Sequence, residues 1–148
     1  MVDTVIRHPT GADRAAWDRL WQGYQRFYKV DIAQSVSELT WARLHDPAEP
    51  MHAAIAWAGE RAIGLVHWIF HRSTWTAGPY CYLQDLYVDE DVRGGGVGRM
   101  LIAHVRSEAE AAGASRLYWL THESNTDAMA LYDKVAERSG FVQYRVVL

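Results

Sequence analysis

Four glycines among the five residues Gly94 to Gly98 separate an apolar run, Tyr80 to Val88, from a segment with helical spacing of apolar residues. That segment places Val97, Met100, Leu101, Val105, Ala109 and Ala112 on one face and stops at Gly113. A strand, a glycine turn and a helix are therefore expected in succession. Glycine permits positive φ and removes side chains, so consecutive backbone amides can turn toward one anion at the helix start. The expected guest is a phosphate. A P-loop would need Lys and then Ser or Thr after its last glycine, whereas Gly98 is followed by Arg99 and Met100. A dinucleotide fingerprint beginning at Gly94 would want Gly or Ala at position 99 and meets Arg99. Neither fits.

The rest of the 148 residues supplies one domain, 1–148, of short alternating elements. Val2 to His8 reads as a strand ended by Pro9, with Asp13 able to accept amide hydrogen bonds near the next segment. From Ala12 to Tyr28 the residues Trp17, Leu20, Trp21, Tyr24, Phe27 and Tyr28 form one helical face. A second helix opens at Ser35 or Ser37 and runs through Leu44, before Pro47. Met51 to Ala58 and Arg61 to Arg72 form a hairpin turned at Gly59-Glu60, and Tyr80 to Val88 is a third strand, interrupted by Gln84 and Asp85. Downstream the pattern predicts strand, helix and strand: Arg116 to Thr121, about Asp127 to Ser139, and Phe141 to Val147. The expected fold class is mixed α/β (α+β): a mostly antiparallel sheet of six to seven strands with a parallel pair, flanked by about four helices.

Charge and cysteine content narrow the partners. Fifteen basic against eighteen acidic residues leave −3, and only Lys29 and Lys134 are lysines, so a nucleic-acid footprint is not expected. The lone Cys81 excludes an intrachain disulfide and a four-cysteine metal site, and no metal is expected. No apolar stretch approaches the ~20 residues that span a bilayer, and a soluble, cytoplasmic protein is the expectation.

The stretch YLQDLYVDEDVRGGGVG resembles the pyrophosphate loop of the GCN5-related N-acetyltransferases (GNAT): Arg or Gln, two residues, Gly, one residue, Gly or Ala. Arg93, Gly96 and Gly98 match that pattern. In WLTHESNTDAMALYDKVAERSGFV, Asn125 precedes Ala130-Leu131-Tyr132 and Gly140-Phe141, which is similar to the family's second cofactor segment. The likeness covers roughly residues 80 to 142, and its details are most similar to the polyamine (diamine) acetyltransferase branch and its small-amine relatives. It implies a GNAT-like fold with acetyl-CoA lying between two splayed parallel strands, those ending near Val88 and Thr121. Backbone groups of Leu86, Tyr87 and Val88 would bond the pantetheine arm. The amides of Gly94, Gly95, Gly96, Val97, Gly98 and Arg99 would hold the diphosphate, with Arg93 or Arg99 adding charge or remaining in solvent. Asn125 and Ala128 fall in the second cofactor segment, where Asn125 can bond cofactor, cap a helix, or both.

The chemistry expected is direct acetyl transfer to a primary amine in a ternary complex. Tyr132, seven residues after Asn125, matches the phenol that protonates the departing thiolate, its bland alternative being an aromatic on a core face. An oxyanion donor would be a backbone amide near Val88. The base stays open. In the polyamine branch the position of Gln84 is usually a carboxylate, and Gln84 cannot accept a proton. Asp85 alternates to the other face and is either a water-mediated base, an anchor for a cationic amine or a structural group. His122, Glu123 or water are further choices. Trp21, Tyr24 and Tyr28, with Asp31 and Glu38, can line an ammonium pocket, or most of the aromatics can be core. A CoA-binding sensor without turnover and a protein or histone lysine as acceptor remain alternatives. The apolar FVQYRVVL suits pairing with a neighbour, and a homodimer is expected.

Overall fold

The computed structural model describes residues 3–148. The Val2 end of the expected first strand lies outside them. Five strands form one sheet in the order β1-β2-β3-β4-β5: β1 (Thr4–Arg7), β2 (Met51–Ala58), β3 (Arg61–His71), β4 (Tyr80–Val88) and β5 (Arg116–Tyr118). The first three pairings are antiparallel and β4 with β5 is parallel. Four helices flank the sheet: α1 (Arg14–Tyr28), α2 (Gln34–Leu44), α3 (Val97–Ala111) and α4 (Thr126–Val135).

The sheet is covered on both faces, which explains why β3 is buried without a break from Ala62 to Trp68. On one face α3 packs Val97, Leu101 and Val105 against Ala54, Val66 and Leu83. On the other, α1 packs Trp17, Leu20 and Trp21 against Ile55, Ala62 and Leu65. The apolar stripe read from the sequence of α1 is that contact, and Trp17 and Leu20 are fully buried. The helix ends where Lys29 takes φ 55 and donates its N–H to the Arg26 carbonyl. Buried Gln25 then fixes the following turn, its Oε1 accepting from the Ile32 amide at 2.9 Å. Gly23 lets α1 lie directly on β4, for a Cβ there would stand 2.6 Å from the Tyr87 ring.

Several boundaries differ from the sequence reading. The first helix begins at Arg14 after a short 3-10 turn, Gly11–Asp13. The strand expected over 116–121 ends at Tyr118, and the helix expected to Ser139 ends at Val135. The largest correction is Phe141 to Val147, which forms no strand, so the sheet has five strands instead of six or seven. The residue pattern is that of a strand, but a strand needs a neighbour, and within this chain none is in place.

Asp13 joins β1 to α1. Its carboxylate accepts from Arg7 Nη1 at 2.7 Å, Arg7 Nη2 at 3.3 Å and the Thr10 amide at 2.7 Å. The Arg7 hydrogen bonds are the main reason its carboxyl is held down to about 2. A carboxyl depressed in the folded state stabilises above its ordinary value and loses that contribution as pH falls through the folded one. Asp13→Asn should therefore lower unfolding free energy at pH 7 by about 1.5–3 kcal/mol. Urea titrations should show the deficit narrowing below about pH 4 and gone near pH 2.

Candidate active site

The ladder between β4 and β5 is only three residues long. Tyr80, Cys81 and Tyr82 pair with Arg116, Leu117 and Tyr118, and there it stops. Just beyond, β4 carries a bulge: His67 of β3 faces Asp85 and Trp68 faces Leu83, leaving Gln84 without an opposite residue. A bulge bends its strand and increases local twist. From Leu83 to Val88 the strand is bonded to β3 on one side, and among the described residues no strand pairs with its other edge, which leaves a cleft where β4 departs from β5. Those unpaired backbone groups are where an extended ligand can add like a strand.

At the end of that cleft stands the glycine turn. Gly94 has φ 84 and Gly96 φ 86, conformations that favour glycine, and nothing lies within 4 Å of where a Cβ would sit on either. Gly96 caps α3, and the first helical bond runs from the Met100 amide to the Gly96 carbonyl. The amides of Val97, Gly98 and Arg99 therefore have no acceptor within the helix. The cradle is open, glycine-lined and at the positive end of a 15-residue helix, which fits a diphosphate. A Cβ on Gly98 would lie 3.5 Å from Leu131 and 3.8 Å from Val88, so the turn, the end of β4 and α4 converge at one place.

Tyr132 follows on α4, with its ring 5.5 Å from Trp119. Burial pushes its phenol up to about 12, with Tyr28 adding to the effect. Tyr28 in turn is raised by burial and by Asp85, and lowered by Arg93. The carboxyl end of α1 thus lies near Tyr132 of α4 and Asp85 of β4. Asp85 is buried on the α1 side of the sheet, where its Oδ2 accepts from His67 Nδ1 at 3.0 Å. Trp17 Nε1–H can only donate, and it donates to His67 Nε2 at 3.0 Å. That pair of bonds fixes His67 as the neutral Nδ1–H tautomer. Burial, and then the Asp85 carboxylate, hold the Tyr24 phenol far above its ordinary value. Tyr24 stacks on Trp21 and lies 4.6 Å from Tyr28, while Tyr82 shares its face of β4 with Asp85 and stacks on Tyr118. Tyr24, Tyr28, Tyr82 and Asp85 make an anionic, aromatic wall.

Other expected site residues are placed as follows. Leu86, Tyr87 and Val88 occupy the free part of β4, although the Tyr87 side chain is turned under α1. Arg93 is exposed, donates from Nε to the Val88 carbonyl at 2.9 Å and lies over Phe27 at 4.9 Å. Arg99 and Gly95 are exposed on the turn. Asn125 sits at the helix-cap position of α4 but makes no side-chain cap bond; its Nδ2 donates to Thr121 at 3.4 Å. Ala128 is half-buried in the first turn of α4. Gln84 is exposed at the bulge. His122 bonds Ser124 at the surface, and Glu38 is held by Arg14 at 2.7 Å, so Glu38 does not join the tyrosines. Cys81 is buried, which pushes its thiol up to about 12 and makes it a poor nucleophile. His67 was not singled out from the sequence; the signal was a histidine within the otherwise apolar GLVHWIF of β3.

Two hollows lie away from the cleft. One of about 320 Å³ is bordered by Trp21, Gln25 and Ser37, and one of about 490 Å³ by Arg19, Phe27 and Tyr87. Among the described residues, His8, His104 and Glu108 bring potential ligand atoms within 4.8 Å of one another, with Glu108 3.3 Å and 3.6 Å from the two histidines.

Trp17→Phe should strip the donor from buried His67 and cost on the order of 1–3 kcal/mol from the unpaired acceptor alone. Denaturant unfolding measures that loss, and the ring-nitrogen NMR shifts of His67 should move toward a tautomer mixture.

Residues 17–136 match the acetyltransferase (GNAT) family. The D-amino-acid N-acetyltransferase HPA3 of Saccharomyces cerevisiae is 39% identical over 143 residues, spanning 95% of this chain and 89% of the relative. The thialysine N-epsilon-acetyltransferase of Caenorhabditis elegans is 35% identical over 85 residues, 57% of this chain and 52% of the relative. The chain thus spans about half the length of that second protein. Among solved structures, an aminoglycoside acetyltransferase from an uncultured soil metagenomic sample superposes with a TM-score of 0.81 at 16% identity over 98% of this chain and 97% of that one, a likeness of fold. A strand-turn-helix built around Gly94 to Gly98, a cleft where β4 leaves β5, and these matches identify the chain as a member of the GNAT acetyltransferase family, an acyltransferase enzyme.

Proposed function

We propose that the protein transfers an acetyl group from acetyl-CoA directly to the primary amine of a small molecule within a ternary complex. The observation that supports this reading is convergence: the glycine turn, the end of β4 and α4, the helix that carries Tyr132, meet around Gly98. The amides of residues 94–99 hold the diphosphate, and the backbone of Leu86 to Val88 pairs with the pantetheine arm. Acetyl-CoA supplies the activated acyl carbon. An amide near Val88 donates to the oxygen on which negative charge develops.

When the amine nitrogen bonds to the acyl carbon and the carbon–sulfur bond breaks, the electron pair goes to sulfur and Tyr132 gives it a proton. The proton shed by the attacking nitrogen leaves through water, since Gln84 cannot take it and Asp85 already accepts from His67. Asp85, Tyr24, Tyr28 and Tyr82 attract the amine as a cation from the α1 side. The two curated relatives are named for acceptors that are amino acids, which supports an amino acid or a comparable small amine here. None of the described helices is long and apolar enough to cross a membrane. Together with the free buried thiol of Cys81, this is in keeping with a cytoplasmic setting.

Tyr132→Phe should lower kcat by roughly 10²-fold or more while leaving CoA affinity little changed. Thiol release from acetyl-CoA across a panel of D- and L-amino acids, polyamines and aminoglycosides measures the first, and calorimetry the second. Tight CoA binding with no acceptor acetylated would favour a sensor instead. The phenol is raised to about 12, so its protonated form persists with rising pH. The alkaline limb of kcat should therefore lack a tyrosine ionisation near the ordinary ~10.

A further inference from the structure

One group of side chains has no part in the chemistry proposed above. His8 follows β1, at the sheet edge opposite β5, and meets His104 and Glu108, one turn apart on α3. Glu108 Oε1 lies 3.3 Å from His8 Nε2 and 3.6 Å from His104 Nε2, and the three ligand atoms all fall within 4.8 Å of one another. Metal–nitrogen bonds of about 2.0–2.1 Å put neighbouring donors about 3.3 Å apart around a tetrahedral ion. Two edges of the triangle already have nearly that length. A second observation concerns His104 itself. Its Nε2 is shielded from solvent and, among the described residues, has no hydrogen-bond partner. Buried polar atoms of that kind are uncommon, and this one faces the same Glu108 oxygen as His8. Trp68 floors the group, its ring 5.7 Å from that of His8 and 5.9 Å from that of His104, while exposed His8 and half-buried Glu108 leave the outer side open.

We propose that His8, His104 and Glu108 bind a divalent transition-metal ion of the zinc type, with water in the fourth position. Two imidazole nitrogens and one carboxylate oxygen suit such an ion, whereas magnesium and calcium take sets made of oxygen. The lone Cys81 argues against a thiolate centre and has no bearing on a histidine–carboxylate one. The ion joins residues 100 positions apart, His8 and Glu108, and clamps the end of β1 to α3, the helix that opens at the glycine turn. These ligands come together only in the folded chain, so the ion adds to stability. It takes no part in acetyl transfer, and the proposal stands whether or not the functional reading does.

Calorimetry of zinc chloride into the untagged full chain should show one ion bound per chain, and cobalt(II) should give the strong visible absorption of a four-coordinate site. His104→Asn and Glu108→Gln should each weaken zinc binding by about 10²-fold or more, at or above the loss caused by removing a group that only supports a ligand. His45→Asn, at a ring stacked on Trp41 beyond the end of α2, should leave it unchanged. Zinc should raise the Tm of the natural chain and leave that of His104→Asn where it was. No zinc bound at micromolar concentration, an unchanged affinity in either ligand variant, a weakly absorbing octahedral cobalt spectrum, or displacement of zinc by millimolar magnesium would each overturn the proposal. If His104→Asn fails to fold, Glu108→Gln, altered at a half-buried helix position, decides by itself.

Discussion

The short β4–β5 ladder is the constraint on which the rest of the molecule turns. Parallel strands normally continue side by side, yet here pairing ends at Tyr82 and Tyr118 and a bulge at Gln84 bends β4 away. A gap in a sheet leaves backbone donors and acceptors unsatisfied, a cost that solvent or a ligand must offset. The fold tolerates the gap because β4 is held firmly on its other side. The Asp89 amide donates to the Ile63 carbonyl, and its buried carboxylate takes ion pairs from Arg19 and Arg61. Opening one edge is possible because the opposite edge and the end of the strand are pinned.

The same logic explains the buried polar chain of Trp17, His67 and Asp85. Burying a carboxylate is costly unless it is hydrogen-bonded. His67 meets that need, and Trp17 meets the need of His67 in turn. Each member lies on a different element, so α1, β3 and β4 are tied in one arrangement. What reads as an isolated acidic residue in an apolar strand is the end of a chain of bonds reaching into the first helix.

The legible parts of this fold were those written in local chemistry. Tyr80 to Val88 was read to the residue, because Gly78-Pro79 opens it and an acidic turn closes it. Glycines 94 to 98 announced a turn before the helix, and two of them adopt left-handed φ. Tyr132 could be placed only by resemblance to a family, since its spacing alone fits a core aromatic equally well. His67 escaped because nothing adjacent in sequence marks its partners, which lie 18 and 50 positions away. The bulge at Gln84 was equally invisible: strict alternation is the default for a strand, and register is set by β3. For Phe141 to Leu148 the pattern correctly describes a strand-forming sequence, but pairing is a property of two segments, and sequence periodicity describes one.

Seen by chain position, the cleft divides its labour unevenly. The groups proposed for the cofactor lie between residues 86 and 132, whereas much of the wall proposed to face an incoming amine comes from Tyr24 and Tyr28, near the end of α1. These two rings are far in sequence from the glycine turn and touch the sheet through side chains, so neither strand register nor helix capping constrains their identity. Selection can therefore retune the acceptor by substitution at a helix end while the handle common to all acyl donors stays untouched. Diversification of amine preference in such an architecture is a matter of repainting one wall.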